Sequence, residues 1–165
     1  MKKLFALVMV FSFITSFLLA NSLELGSPAP RLKVLTDQGT SLNLGEALSE
    51  GTTLVFFYPM AMTPGCVKQA CSLRDGWDEL QARDVQIFGV SKDTVKTQAQ
   101  FRDKYRLPFT LLADTDRKIA DAFCKPMTRQ AYLFKDGILV WRDLMAATSK
   151  QATDVLAALD ELEPN

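Results

Sequence analysis

The chain has 165 residues, about 48% of them hydrophobic, enough for one globular domain with a sizeable core. Its 19 basic and 19 acidic residues cancel, and no basic run exceeds two residues, which argues against nucleic acid as a partner. Histidine is absent, which excludes a histidine-based triad, a histidine-containing zinc site and haem attachment through Cys-x-x-Cys-His.

The first 22 residues carry Lys2 and Lys3 and then an almost purely apolar run from Leu4 to Ala20. Charge followed by hydrophobe is the pattern of an export signal. As a helix the run would reach about 26 Å, slightly short of a comfortable membrane span. Cleavage after Ser22 puts the small residues Ala20 and Ser22 at the minus-three and minus-one positions, and an uncleaved anchor is the alternative. Residues 1–22 are thus expected to be a signal peptide and 23–165 the working domain. The expected location is the bacterial periplasm, with a tether to the inner membrane if cleavage fails. Export puts the cysteines where disulfides form. There are three, so at least one lacks a partner within the chain.

After a turn-rich leader, Arg31–Glu50 reads as a short hairpin turning at Asp37–Gly39. TTLVFFYP, ending at Pro59, is a continuous apolar strand suited to burial on both faces. Val67, Ala70, Cys71, Leu73, Trp77 and Leu80 form a helical stripe over residues 66–82. Val85–Ser91 is a second buried strand, followed by a helix over residues 93–105 that cannot continue through Pro108. FTLLAD is a strand, and Asp114 or Thr115 is placed to cap a short helix near 117–124. Two strands flank Asp136–Gly137, a strong hairpin signal. A last amphipathic helix has Val155, Leu156, Leu159 and Leu162 on its apolar side. Strand–helix alternation ending in a hairpin and a helix predicts one α/β domain, a mixed central sheet with helices on both faces.

The chemistry concentrates in YPMAMTPGCVKQACSLRD. Cys66 stands at the predicted first turn of a helix, where free N–H groups and the helix dipole favour a thiolate. Pro64 needs no hydrogen-bond partner at a helix start, and Gly65 lets other groups approach closely. Thr63 offers a hydroxyl that either caps the helix or contacts a ligand. Cys71 lies five positions on. In an unbroken helix those five residues rise about 7.5 Å and turn about 140° net, leaving the Cα atoms about 8.6 Å apart, too far for a disulfide. Bridging therefore requires the first turns to unwind. Two cysteines at this spacing with one distant third make no usual zinc set, and no Cys-x-x-Cys is present. Buried inert thiols remain an alternative. Arg74, on the same helix, and Arg129, before the AYLF strand, are the candidate cations for Cys66, each with an ordinary surface role as the alternative.

Pro59, Thr63 and Cys66 match the Pro-x-x-x-Thr-x-x-Cys signature of the peroxiredoxins, and Cys71 matches the resolving cysteine of their Q-type, or bacterioferritin-comigratory-protein, group. GVSKDTVKTQAQFRDKYRLPFTLLAD resembles the same group's middle segment, so the likeness covers about residues 25–160. The resemblance implies a thioredoxin-like fold and an atypical two-cysteine peroxidase that reduces hydrogen peroxide and organic hydroperoxides. It implies Cys66 as the peroxidatic nucleophile and Cys71 as its resolving partner. Thr63 would orient the peroxide, Pro59 would shape and shield the pocket, and Arg129 would stabilise thiolate and peroxide oxygens. No metal or other cofactor is implied. The implied partners are a small peroxide and a thioredoxin-like protein reductant, which export would place outside the inner membrane. A monomer is expected, with a dimer as the alternative. Rival readings are a thiol–disulfide oxidoreductase acting on proteins and a non-catalytic thioredoxin-fold protein with a structural disulfide.

Three features depart from the group's pattern. Met60, Ala61 and Met62 make the loop apolar, which is expected to reflect packing more than a greasy pocket rim. Gln69 stands where many relatives have glutamate, and Phe123–Cys124 replaces a pair resembling Gly-Val. Cys124 is expected to be a buried bystander, with an intermolecular disulfide as the alternative.

Overall fold

The computed structural model describes residues 23–123 and 128–163. The expected export segment and Cys124 lie outside the described residues. Strands β1 (Lys33–Thr36) and β2 (Ser41–Asn43) are followed by a one-turn helix, α1 (Leu44–Ala47), and the strand β3 (Thr52–Phe57). Then come α2 (Pro64–Asp75), α3 (Trp77–Gln81), β4 (Val85–Ser91) and α4 (Val95–Tyr105). The chain continues with β5 (Thr110–Ala113), α5 (Lys118–Phe123), β6 (Gln130–Lys135), β7 (Ile138–Asp143) and α6 (Gln151–Leu162).

Among the described residues the strands form one mixed sheet in the order β2-β1-β5-β4-β3-β6-β7. The pairs β3–β4 and β4–β5 are parallel, and β1–β5, β3–β6, β1–β2 and β6–β7 are antiparallel. β3 is central because its TTLVFF run offers no polar face. Its alternate residues serve two cores. Leu54 and Phe56 pack with Ala70 and Leu73 of α2, Phe101 of α4 and Val155 and Leu159 of α6. Val55 and Phe57 pack with Leu44 of α1 and with Ile119 and Phe123 of α5. Helices therefore cover both faces, as the strand–helix order predicts. Asp136 and Gly137 both have positive φ, 49° and 78°, the turn that joins twisted strands in a two-residue hairpin.

Three expectations need correction. The first hairpin's second strand ends at Asn43, and Leu44 begins a helix instead, because its side chain is fully buried in the α1–α5 core. The helix foreseen over residues 66–82 breaks at Gly76 into α2 and α3. A Cβ on Gly76 would lie 2.6 Å from the Ala152 Cβ, so the break sits where α6 comes too close for any side chain. On α6, Leu162 is 40% exposed, while Gln151, Ala152 and Ala158 are buried. Leu162 has the same helical azimuth as the buried residues, so its exposure comes from its place in the last turn, where residues 160–163 are all exposed.

Candidate active site

The site lies outside the carboxyl end of β3, the usual position for ligands in open α/β sheets. Past Phe57 the chain needs a sharp change of direction before α2. Tyr58 is fully buried and Pro59 half-buried, and then Met60, Ala61 and Met62 form the loop. Ala61 is buried and Met62 packs on the core, while Met60 is 48% exposed. Met62 adopts φ 65°, a left-handed conformation that a side-chain-bearing residue keeps only when its surroundings impose it.

A polar network that the linear pattern does not reveal holds the preceding residue of the loop. The Ala61 N–H donates to Asp93 Oδ2 (2.7 Å), and the Ser91 hydroxyl donates to the same oxygen (2.6 Å). Gln98 Nε2 donates to Ser91 Oγ (3.0 Å) and to the Leu112 carbonyl (2.8 Å). The Tyr58 hydroxyl donates to Gln98 Oε1. Burial pushes the Tyr58 phenol far above its ordinary range; the hydrogen bonds to Ser91 and Gln98 oppose the shift, and the Asp93 and Cys66 charges add to it. Tyr58 is therefore a fixed donor beside Cys66 and no base. Asp93 does not cap α4; the cap is Thr94, whose hydroxyl accepts from the Thr97 N–H (3.2 Å).

α2 begins with Pro64 at its first position and Thr63 as N-cap in extended conformation. Thr63 makes no side-chain capping bond; its hydroxyl donates to the Met60 carbonyl (2.9 Å). That settles the capping alternative against capping and leaves the hydroxyl lone pairs free to accept. Cys66 falls in the first turn, fully buried, with no acidic residue in that turn. Cys66 thus stands at the positive end of a twelve-residue helix, where the first N–H groups lack partners within the helix.

Arg129 and Arg74 part company. A Cβ on Gly65 would collide with the Arg129 guanidinium, lying 3.0 Å from Cζ and 3.4 Å from Nε. Arg129 thus rests directly on the residue preceding Cys66. Its Nε is buried with no hydrogen-bond partner among the described residues. The Arg129 carbonyl accepts from the Ala146 N–H (3.0 Å), which pins the backbone that delivers the side chain. Arg74 points elsewhere: it pairs with Asp75 (2.7 Å) and donates to the Tyr105 carbonyl (2.9 Å).

Cys66 and Cys71 are both free thiols within the intact helix. Cys71 is half-buried, and burial pushes its thiol upward; the Arg74 charge opposes this and Asp75 adds to it. Gln69, between them, is fully buried and bonds outside its own helix.

Residues 25–142, most of the chain, match the AhpC/TSA family. The chain belongs to that family. Curated relatives that it matches are named peroxiredoxin Bcp. The chain is 41% identical over 103 residues to peroxiredoxin Bcp of Escherichia coli strain K12, covering 62% of this chain and 65% of that one. It is 38% identical over 102 residues to peroxiredoxin Bcp of Bacillus subtilis, covering 62% and 64%. The matched stretch is thus somewhat under two thirds of the length of these two relatives. Among solved structures, peroxidoxin BcpB of Mycobacterium tuberculosis superposes with a TM-score of 0.77 at 27% identity, covering 86% of this chain and 99% of that one. The bacterioferritin comigratory protein of Xanthomonas campestris, described for its alkyl peroxide reduction activity, superposes with a TM-score of 0.74 at 25% identity, covering 79% and 91%. The mixed sheet with helices on both faces is therefore the thioredoxin-like peroxiredoxin fold.

Proposed function

We propose that this AhpC/TSA-family chain is a thiol-dependent peroxidase that reduces hydrogen peroxide and organic hydroperoxides. One observation carries the reading: a fully buried thiol in the first turn of α2, with a guanidinium carrying an unpaired buried Nε against the preceding glycine. The Cys66 thiolate attacks one peroxide oxygen, the O–O bond breaks, and water or alcohol leaves with a proton. Cys66 becomes a sulfenic acid. Arg129 and the first-turn N–H groups stabilise the thiolate and the charge developing on the leaving oxygen. Thr63, its own proton held by Met60, accepts from the peroxide O–H and orients it. Pro59 closes the loop end of β3 and limits water around the sulfur. The α2 start then unwinds, Cys71 displaces hydroxide from the Cys66 sulfur, and an intramolecular disulfide and water form. A thioredoxin-like dithiol restores both thiols by exchange.

Full burial of Cys66 favours a small peroxide over a protein disulfide as the oxidant, which sets the protein-oxidoreductase reading behind this one. The export pattern of residues 1–22 supports a periplasmic enzyme, cleaved or tethered, supplied by a reductant in the same compartment. We take the working unit to be a monomer.

The test is stoichiometric hydrogen peroxide added to the reduced protein, followed by intact mass. The parent should lose two thiols as one disulfide. Cys71→Ser should hold an oxygen on Cys66, and Cys66→Ser should consume no peroxide beyond background. Oxidation of Cys66 no faster than that of Cys124 sinks the proposal.

A further inference from the structure

Gln69 sits on the segment that must unwind, between the two cysteines, with no exposed surface. Its Nε2 donates to the carbonyl of Phe57, the last residue of β3 (3.3 Å), and to Oε1 of Gln151, the first residue of α6 (2.9 Å). Gln151 is likewise fully buried. One turn further along α2, Ser72 Oγ accepts from the Ala152 N–H (3.2 Å). α6 has no side-chain cap of its own at Lys150, so α2 supplies it one. Gln69, Ser72 and Gly76 thus share one side of α2, and the start of α6 rests on all three. The amide pair is incompletely satisfied: Gln69 Oε1 and Gln151 Nε2 are buried without partners among the described residues. Two such orphans favour a state in which water reaches them, while the bonds made favour the closed helix. The contact is therefore a weak fastener at the point where the helix must open.

We propose that Gln69 and Gln151 form a latch that sets how readily the start of α2 unwinds, and hence how long a Cys66 sulfenic acid lasts before Cys71 reaches it. The inference rests on the peroxidase reading above. Both are positioning residues, acting through the helix and touching no peroxide. The controlled step is balanced without a further oxidant: the S–S bond forms as the Cys66 S–O bond breaks, and the thiol proton leaves with the hydroxide as water. A closed latch lengthens exposure of the sulfenic acid to a second peroxide, which would carry it to sulfinic acid. An open latch shortens that exposure and withdraws the nucleophile from its site.

A double-mutant cycle tests the latch. Gln69→Leu, Gln151→Leu and the pair are made in the full chain, with Thr94→Ala, a cap change on α4, as the control for general destabilisation. Disulfide formation is timed after a single stoichiometric peroxide pulse, and sulfinic acid is measured by intact mass under excess peroxide. Gln151→Leu, which leaves the sequence of α2 untouched, should speed disulfide formation about fivefold and lower the sulfinic fraction. Gln69→Leu should do at least as much, since it also removes the bond to Phe57, and the pair should match Gln69→Leu, because the Gln69–Gln151 bond is removed only once. Thr94→Ala should change neither quantity. The latch is overturned if Gln151→Leu stays within twofold of the parent, if the two changes multiply, or if Thr94→Ala reproduces them. Slow Cys66 oxidation in the parent would overturn the peroxidase reading instead, so the two failures are distinct.

Discussion

At the scale of single residues, Gly65 separates the needs of the fold from the needs of the site. Its φ is an ordinary helical one and alanine is a better helix former, so the backbone does not require glycine. The guanidinium of Arg129 does, because a Cβ would occupy its place. Gly65→Ala should therefore slow Cys66 oxidation by hydrogen peroxide at least tenfold while leaving the thermal midpoint unchanged or slightly higher; stopped-flow oxidation and a melt together check both halves. Cys71 makes a prediction about pH. Burial holds its thiol above the ordinary cysteine value, with Arg74 only partly offsetting it. The proton thus favours the closed helix below about 8.5, the usual cysteine value, and that support is lost as pH rises from there through the raised folded value. In a Cys66→Ser protein, alkylation of Cys71 should show an apparent pKa above that of a free cysteine, and a value at or below it would contradict the burial. Cys66, Thr63 and Pro59 were legible as candidates because their signals lie within eight consecutive residues. Asp93 and Tyr58 were not, because a hydrogen bond from the Ala61 N–H to Asp93 leaves no mark in either local pattern.

At the scale of elements, the α2–α3 break shows where periodicity stops being informative. The apolar stripe over residues 66–82 is real, and Leu73 and Leu80 are both fully buried. What divides it is Gly76, set against Ala152 of α6, and a stripe carries no information about how near a neighbouring helix comes. Gly76→Ala should cost about 1–3 kcal/mol in urea unfolding, the range for overpacking a tight contact, because Ala152 has no flexible end to move aside. The short helix α5 was more readable. Asp114 accepts from the Ile119 and Ala120 N–H groups, both at 2.8 Å, so the capping residue is the aspartate and not Thr115.

At the scale of the whole molecule, two cores back to back on one sheet make the base of the site rigid, while the latch side of α2 depends on α6. The edge hairpin is tied in by a buried carboxylate. Asp37, 3% exposed, accepts from Arg102 of α4 and from the Leu111 N–H of β5 (3.0 Å). Removing it leaves a guanidinium and a buried N–H without that partner. Asp37→Ala should destabilise the fold by about 2–4 kcal/mol in chemical denaturation. Since Asp37 touches no residue of the site, Cys66 oxidation in the folded protein should stay within twofold of the parent, and a larger drop would show that the hairpin reaches the thiol.

The sequence by itself determined the α/β class, the central strand, the helix start at Pro64 and the pairing of a candidate nucleophile with a partner too far away to bridge in an intact helix. Each depends on spacing within a few residues, which the geometry of strand and helix converts directly into position. Only the tertiary structure decided which arginine rests on Gly65, what Thr63 bonds, where the long helix breaks and how Gln69 is held. Those depend on which distant segments the sheet order brings together, and a buried polar group takes whichever partner arrives.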